Sequence, residues 1–164
     1  MSFRYGPVVP AERIELIARG LLAAESRVLL CRNLKHGYFY LPGGHVECSE
    51  SASDACAREF HEELGWAVRP GPLLLVTEQQ FCQNDKERHE VTLVFHVEHS
   101  ERPPTPSPDP VSREPKIGFE WIELAALPDV DLRPPAVKAW LIAGADSAGL
   151  DRPGWIPGAM AGRE

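Results

Sequence analysis

The chain has 164 residues, 43% of them hydrophobic and 25% charged, with a formal net charge of −7. That length suits one domain with a real core and is short for two. The acidic balance argues against a long polyanion as partner, because nucleic-acid binding relies on basic patches that release counterions; a small phosphate ester stays open, since a bound divalent metal supplies positive charge locally.

Residues 1–11 read as an irregular arm at the start of a single domain spanning 1–164. The text from Ile14 to Arg32, IELIARGLLAAESRVLLCR, holds two apolar stretches parted by Ala24-Glu25-Ser26, which predicts a β-hairpin. A helix competes for the first stretch, but Gly20 and the β-branched Ile14, Ile17 and Val28 favour strands. Tyr38-Phe39-Tyr40-Leu41 is a short aromatic run stopped by the turn residues Pro42-Gly43-Gly44.

A helix is expected from about Ser51 to Leu64. Ser51 and Asp54 fit a capping box, and Gly65 stands where a helix end favours a left-handed residue. Leu73 to Phe81 and Val91 to Val97 read as strands, the second alternating Val91, Leu93, Phe95 and Val97 on one face. Gln83 to Glu90 is a charged connection between them, expected as a long hairpin tip. The Pro-rich segment 103–115 is expected as a surface loop. A short strand over Phe119–Leu124, an amphipathic helix over Pro135–Gly144 and a Gly- and Pro-rich tail over 145–164, expected to be mobile in part, complete the order.

No apolar run approaches the ~18 residues needed to cross a bilayer, and no secretory leader is read at the start. The four cysteines, Cys31, Cys48, Cys56 and Cys82, form no Cys-x-x-Cys pair. Reduced thiols, a cytoplasmic location and no membrane partner are the corresponding expectations.

The first helix carries the chemistry. Glu59, Glu62 and Glu63 lie at i, i+3 and i+4, so all three carboxylates share one side within a turn. Ala52, Ala55 and Cys56 begin a stripe that Glu59 and Glu63 continue, with Glu62 at its edge. These acids thus point toward the domain, where unpaired charge costs several kcal/mol. They must pair with bases or hold a metal, and an all-oxygen donor set favours Mg²⁺ or Mn²⁺ over zinc. A solvated helix face is the competing reading of three clustered acids; Arg58 and Glu50, placed to form an ion pair that fastens the preceding loop to the helix, favour the inward one.

The segment resembles the Nudix box. Gly44, Glu50, Arg58, Glu59, Phe60, Glu62, Glu63, Gly65 and Trp66 meet that pattern in order without a gap, with Phe60 and Trp66 aromatic where aliphatic residues are usual. Leu41-Pro42-Gly43 is similar to the family's lead-in. The resemblance implies an α/β fold, the Nudix-type α/β/α sandwich with a mixed β-sheet between helices. It also implies a divalent-metal-dependent pyrophosphohydrolase that cleaves a nucleoside diphosphate linked to another moiety by water attack on phosphorus. A small nucleotide is then the partner, and a homodimer is compatible with the family.

Carried over by position, Glu59 and Glu63 are the main expected metal ligands, Glu62 shares the coordination or reaches it through water, the Gly43 carbonyl adds a further oxygen, and Arg58 and Glu50 support them. The resemblance implies a general base that is either a box glutamate or an acid from a later loop, the latter expected at Glu114 with Glu120 and Glu90 as rivals. Tyr38 and Tyr40 are expected to offer a stacking surface for the base, with Phe39 between them. His45 is expected to touch phosphate, and His89 is a second candidate. The readings against a hydrolase are a catalytically silent nucleotide-binding sensor and, remotely, an isoprenoid diphosphate isomerase, for which no catalytic cysteine stands in a matching context.

Overall fold

The computed structural model describes residues 13–83, 85–100, 108–144 and 154–156. Strands β1 (Ile14–Leu21), β2 (Ala23–Ala24), β3 (Arg27–Asn33), β4 (Phe39–Tyr40) and β5 (Gly43–His45) precede helix α1 (Ala52–Leu64). Strands β6 (Val68–Gln83), β7 (Lys86–His99) and β8 (Ile117–Glu123) follow, then a 3-10 turn over Leu124–Asp129, helix α2 (Pro135–Ile142) and strand β9 (Gly154–Ile156).

The strands form two sheets. One has the order β5-β1-β7-β6-β9 and is mixed, with β1 parallel to β7 and β9 parallel to β6. In the other, β3 pairs antiparallel with β2, β4 and β8. Successive side chains of a strand point to opposite faces, and β3 feeds two cores in this way. Leu29 and Cys31 join Ala55, Cys56 and Phe60 of α1, whereas Val28 and Leu30 join Leu75, Val94 and the α2 residues Val137 and Leu141. The two helices therefore cover different cores, which is the α/β sandwich expected from the resemblance.

The hairpin expected over Ile14–Arg32 is corrected. Both apolar stretches are strands, but β1 leaves for β5 and β7, and only Ala23-Ala24 folds back on Arg27-Val28. The charged stretch Gln83–Glu90 is mostly strand rather than a long tip, since β6 and β7 stay paired out to Gln83 and Lys86. Burial in β7 is also two-sided. Thr92, Val94 and Val97 are the buried positions, while Val91, Leu93 and Phe95 are half-buried on the other alternation from Thr92 and Val94. Gly43 and Gly44, read as turn residues, form with His45 a strand against β1.

Helix α1 begins and ends as its sequence dictates. Ser51 Oγ accepts from the Asp54 backbone N–H at 3.1 Å, and Gly65 takes the left-handed conformation at φ 72°. The helix lies close on β1 because Gly20 has no side chain: a Cβ there would come within 2.5 Å of the Phe60 ring. Phe60 is fully buried, a contribution of about 1.5–3 kcal/mol.

Residues 108–116 form irregular backbone, and the rest of the expected Pro-rich loop, 103–107, lies outside the described residues, as do the expected arm 1–11 and most of the tail. Within the tail, Gly154–Ile156 pairs with Leu75–Thr77. Among the described residues no helix is long and apolar enough to cross a membrane. All four cysteines are free.

Candidate active site

Four segments meet around a cleft of about 420 Å³. Strand β1 contributes Arg19, the β4–β5 segment Tyr38, Tyr40, Gly43 and Gly44, and α1 Glu59 and Glu63. The β6–β7 wall adds Gln79, Phe81, Glu90 and Thr92, and the far rim carries Glu114 and Arg133. Four carboxylates thus face two guanidinium groups, so a polyphosphate enters favourably only with added cationic charge.

Glu63 is the electrostatic centre. It is 7% exposed, and its Oε2 has no hydrogen-bond partner. Burial pushes its carboxyl up to about 8, Glu59 adds to the rise, and Arg19 and a backbone hydrogen bond with Gly43 work against it. An unpartnered buried carboxylate oxygen is a costly group, and a cation answers that cost. Gly43, which makes that backbone hydrogen bond, also accepts from Arg19 Nη1 through its carbonyl. Gly43 holds φ at 126°, and a Cβ there would collide with the Ala18 carbonyl, so the close approach requires glycine.

Glu59 is held by two neighbours. A Cβ on Gly44 would lie 2.5 Å from the Glu59 carboxyl carbon, and Arg58 Nη1 donates to Glu59 Oε1 at 3.0 Å. Arg58 binds further partners. Its Nε and Nη2 donate to Glu50 at 3.1 and 2.9 Å, Nη1 also reaches Glu62 at 3.1 Å, and Nη2 reaches the His45 carbonyl at 3.0 Å. Hydrogen bonds from Arg58, then from the Glu47 backbone, hold the Glu50 carboxyl below the usual range. Gly44→Ala should displace Glu59 and weaken Mn²⁺ binding about tenfold or more. Unchanged affinity in an electron paramagnetic resonance titration would remove Glu59 from the ligand set.

The other expected site residues divide. Tyr38, Tyr40 and Glu114 line the cleft with Glu59, Glu63 and Gly43. Glu62 does not: its side chain is 53% exposed and turned to Arg58. Among the described residues no three acidic, His or Cys side chains are gathered closely enough to enclose a metal. Of the expected metal ligands, Glu59, Glu63 and Gly43 are the ones that line the cleft, and the orphaned Glu63 oxygen fits a hard cation.

His45 is also placed away from the cleft. It is exposed and stands 3.8 Å from Glu15, because its strand alternation turns it from the wall that Gly44 faces. Glu120 pairs with Arg32 at 2.9 Å outside the cleft, and His89 is bound to Glu78 at 2.5 Å. Phe39 packs against the core under α2, opposite to Tyr38 and Tyr40. The Tyr38 ring carries the Arg133 guanidinium, 4.4 Å from its centroid, so it is not a bare stacking platform.

The loop bearing Glu114 is tied to the end of α1. The Arg113 backbone N–H donates to the Glu63 carbonyl at 2.7 Å, and its guanidinium reaches the His61 carbonyl at 3.4 Å. Asp109 accepts from the Trp121 backbone N–H at 2.9 Å, fixing the other end of the segment to β8. Sequence reasoning missed Arg19, Gln79, Thr92 and Arg133. For Arg19 the available sign was a lone cation inside an apolar strand, one step from a Gly.

The fold recurs in solved structures. A MutT protein from Bacillus halodurans superposes with TM-score 0.65 at 17% identity, covering 90% of this chain and 91% of that one. A NUDIX hydrolase from Nitrosomonas europaea gives 0.61 at 18%, covering 91% and 79%. These define a mixed α/β sandwich class. The NUDIX domain pattern matches residues 15–141, and the chain belongs to the Nudix hydrolase family.

Among curated proteins, an ADP-ribose pyrophosphatase of Methanocaldococcus jannaschii is 33% identical over 79 residues, 46% of either chain. A probable DHNTP pyrophosphohydrolase of Lactococcus lactis is 36% identical over 56 residues, 34% of either chain. The chain thus spans less than half the length of these curated relatives.

Proposed function

We propose that the protein is a Mg²⁺- or Mn²⁺-dependent pyrophosphohydrolase acting on a small nucleoside diphosphate linked to another moiety. The observation that carries this reading is the buried, unpartnered Glu63 oxygen beside Glu59 and Gly43, open to a cleft of nucleotide size. The names of the curated relatives, both pyrophosphohydrolases, point the same way.

Glu59, Glu63 and the Gly43 carbonyl would hold the metal, and Glu62 would act on it only through Arg58. Bound there, a divalent ion supplies neutralised phosphate oxygens and a more acidic water. Arg58 keeps Glu59 aligned and Glu50 fixes Arg58, so the carboxylates are preorganised before substrate arrives. Arg19 stands next to the Gly43 carbonyl and offers its remaining N–H groups to phosphate oxygens. Glu114, on the cleft rim, takes the proton of the attacking water. The buried thiol of Cys31 is pushed up to about 12 by burial, and that of Cys56 likewise, so neither serves as a thiolate. Four free cysteines suit a reducing, cytoplasmic setting.

The test is a phosphate-release screen with and without Mg²⁺. Its panel holds nucleoside triphosphates, oxidised guanine nucleotides, nucleotide sugars, ADP-ribose and dinucleoside polyphosphates. Metal-dependent release from at least one is expected. Silence across the panel would replace the hydrolase with a nucleotide-binding sensor.

A further inference from the structure

The carboxylates around Glu63 account for one end of the cleft and leave the β6–β7 wall without a task. Along that wall the register sets Leu75 opposite Val94, Thr77 opposite Thr92 and Gln79 opposite Glu90. Side chains two apart on a strand share a face. The column is thus apolar where it meets α2 and becomes polar where it opens into the cleft.

At the open end Gln79 Nε2 donates to Glu90 Oε2 at 3.0 Å. An ionised carboxylate only accepts, so this bond fixes the amide with its NH₂ toward Glu90 and its carbonyl oxygen turned away. Glu90 keeps its second oxygen, and no cation pairs with it among the described residues. Its strand neighbour Glu15 takes Arg88 at 3.0 Å instead. Glu90 thus lines the cleft with an acceptor oxygen to spare and calls for a ligand edge made of donors. Phe81, two residues beyond Gln79 on the same face, lines the cleft beside it and supplies a ring for stacking.

The position fits a base rather than a phosphate. Glu90 lies four residues from Val94, the β7 partner of Arg19, which in turn pairs with Gly43. That is about 13 Å along β7 from the level of Arg19 and Gly43, comparable to the span of a nucleoside from its second phosphate to its base edge.

Resting on the hydrolase reading for the phosphate end, we propose that Glu90, held by Gln79, reads a 2-amino-4-oxopyrimidine edge, the edge common to guanine and pterins. That edge sets a ring N–H beside an amino group, two adjacent donors for a carboxylate. Adenine sets one amino donor beside a ring acceptor, which the carboxylate repels. Hypoxanthine has the ring N–H without the amino group and falls between.

Calorimetric titration with Mg²⁺ and the α,β-methylene analogues of GDP, IDP and ADP tests this. The wild-type protein should bind the guanine analogue about 10- to 100-fold more tightly than the adenine one, with hypoxanthine between. Glu90→Gln should bring that ratio close to one while keeping the circular dichroism melt. Gln79→Leu, which frees the carboxylate, should narrow it as well and serves if the first variant fails to fold. A 7,8-dihydropterin triphosphate competing against GTP and ATP identifies the source of the edge: displacement by either the pterin or GTP ahead of ATP supports the assignment. Equal affinities, an adenine preference, no binding, or a guanine preference that survives both substitutions overturns it. Guanine-selective binding without phosphate release from any substrate would sink the hydrolase reading and leave the recognition standing. Turnover without base preference does the reverse.

Discussion

Glu63→Gln should cut metal-dependent phosphate release about 10³-fold, the scale on which one preorganised electrostatic group is felt, while making the metal-free protein more stable at high pH. Both effects come from the same buried oxygen. Gln keeps the shape and removes the charge that burial and Glu59 oppose. In the unfolded chain this carboxyl ionises near 4.5, whereas in the folded protein it holds its proton up to about 8. The folded state therefore binds the extra proton between those values. The stability this adds is fully present below 4.5 and is lost as pH rises through 8, a few kcal/mol at most. Melting of the metal-free wild type should fall between pH 6 and 9, and that of Glu63→Gln should change less. Saturating Mg²⁺ should flatten the wild-type curve, because the cation takes over from the proton. A Glu63→Gln enzyme with full activity would remove Glu63 from the metal site.

Arg58→Ala should lower stability and activity together. Its guanidinium binds Glu50, Glu59, Glu62 and the His45 carbonyl. Truncation removes the partner of Glu50 and leaves the partly buried Glu59 carboxylate without its counter-charge, the latter costing about 2–4 kcal/mol. For a chain of this size the melting temperature should drop roughly 5–15 °C. Arg58→Lys should recover only part of it, since an ammonium cannot bridge Glu50 through two nitrogens. Lost activity with an unchanged melting temperature would show instead that Arg58 meets the substrate.

Local features were legible and non-local pairings were not. The limits of α1 follow from Ser51, Asp54 and Gly65, whose hydrogen bonds are made within a few residues. The inward turn of Glu63 follows from a 3.6-residue period that starts at Ala52. Strand partnership has no such local code: Ile14–Leu21 and Arg27–Asn33 look alike, yet β1 finds its partner more than seventy positions along the chain, at His89–His96. The cleft behaves similarly. Its acids share one helix and could be read together, but Arg19, Gln79 and Arg133 come from three distant segments and meet only in the folded chain. Glu62 follows the box in its spacing, and its contact with Arg58 four residues earlier is likewise local.

Gly65 does more than end a helix. A Cβ at that position would lie 2.1 Å from the Arg113 guanidinium, so the empty space above the glycine is the seat on which the Glu114 loop rests. The proton acceptor proposed for the reaction is thereby measured from the same helix end as Glu63. Its location is indexed to the α1 carboxylates through Arg113 and to β8 through Asp109. A side chain at Gly65 would therefore push Arg113 aside and throw the two halves of the site out of step, although Glu114 stands far along the chain.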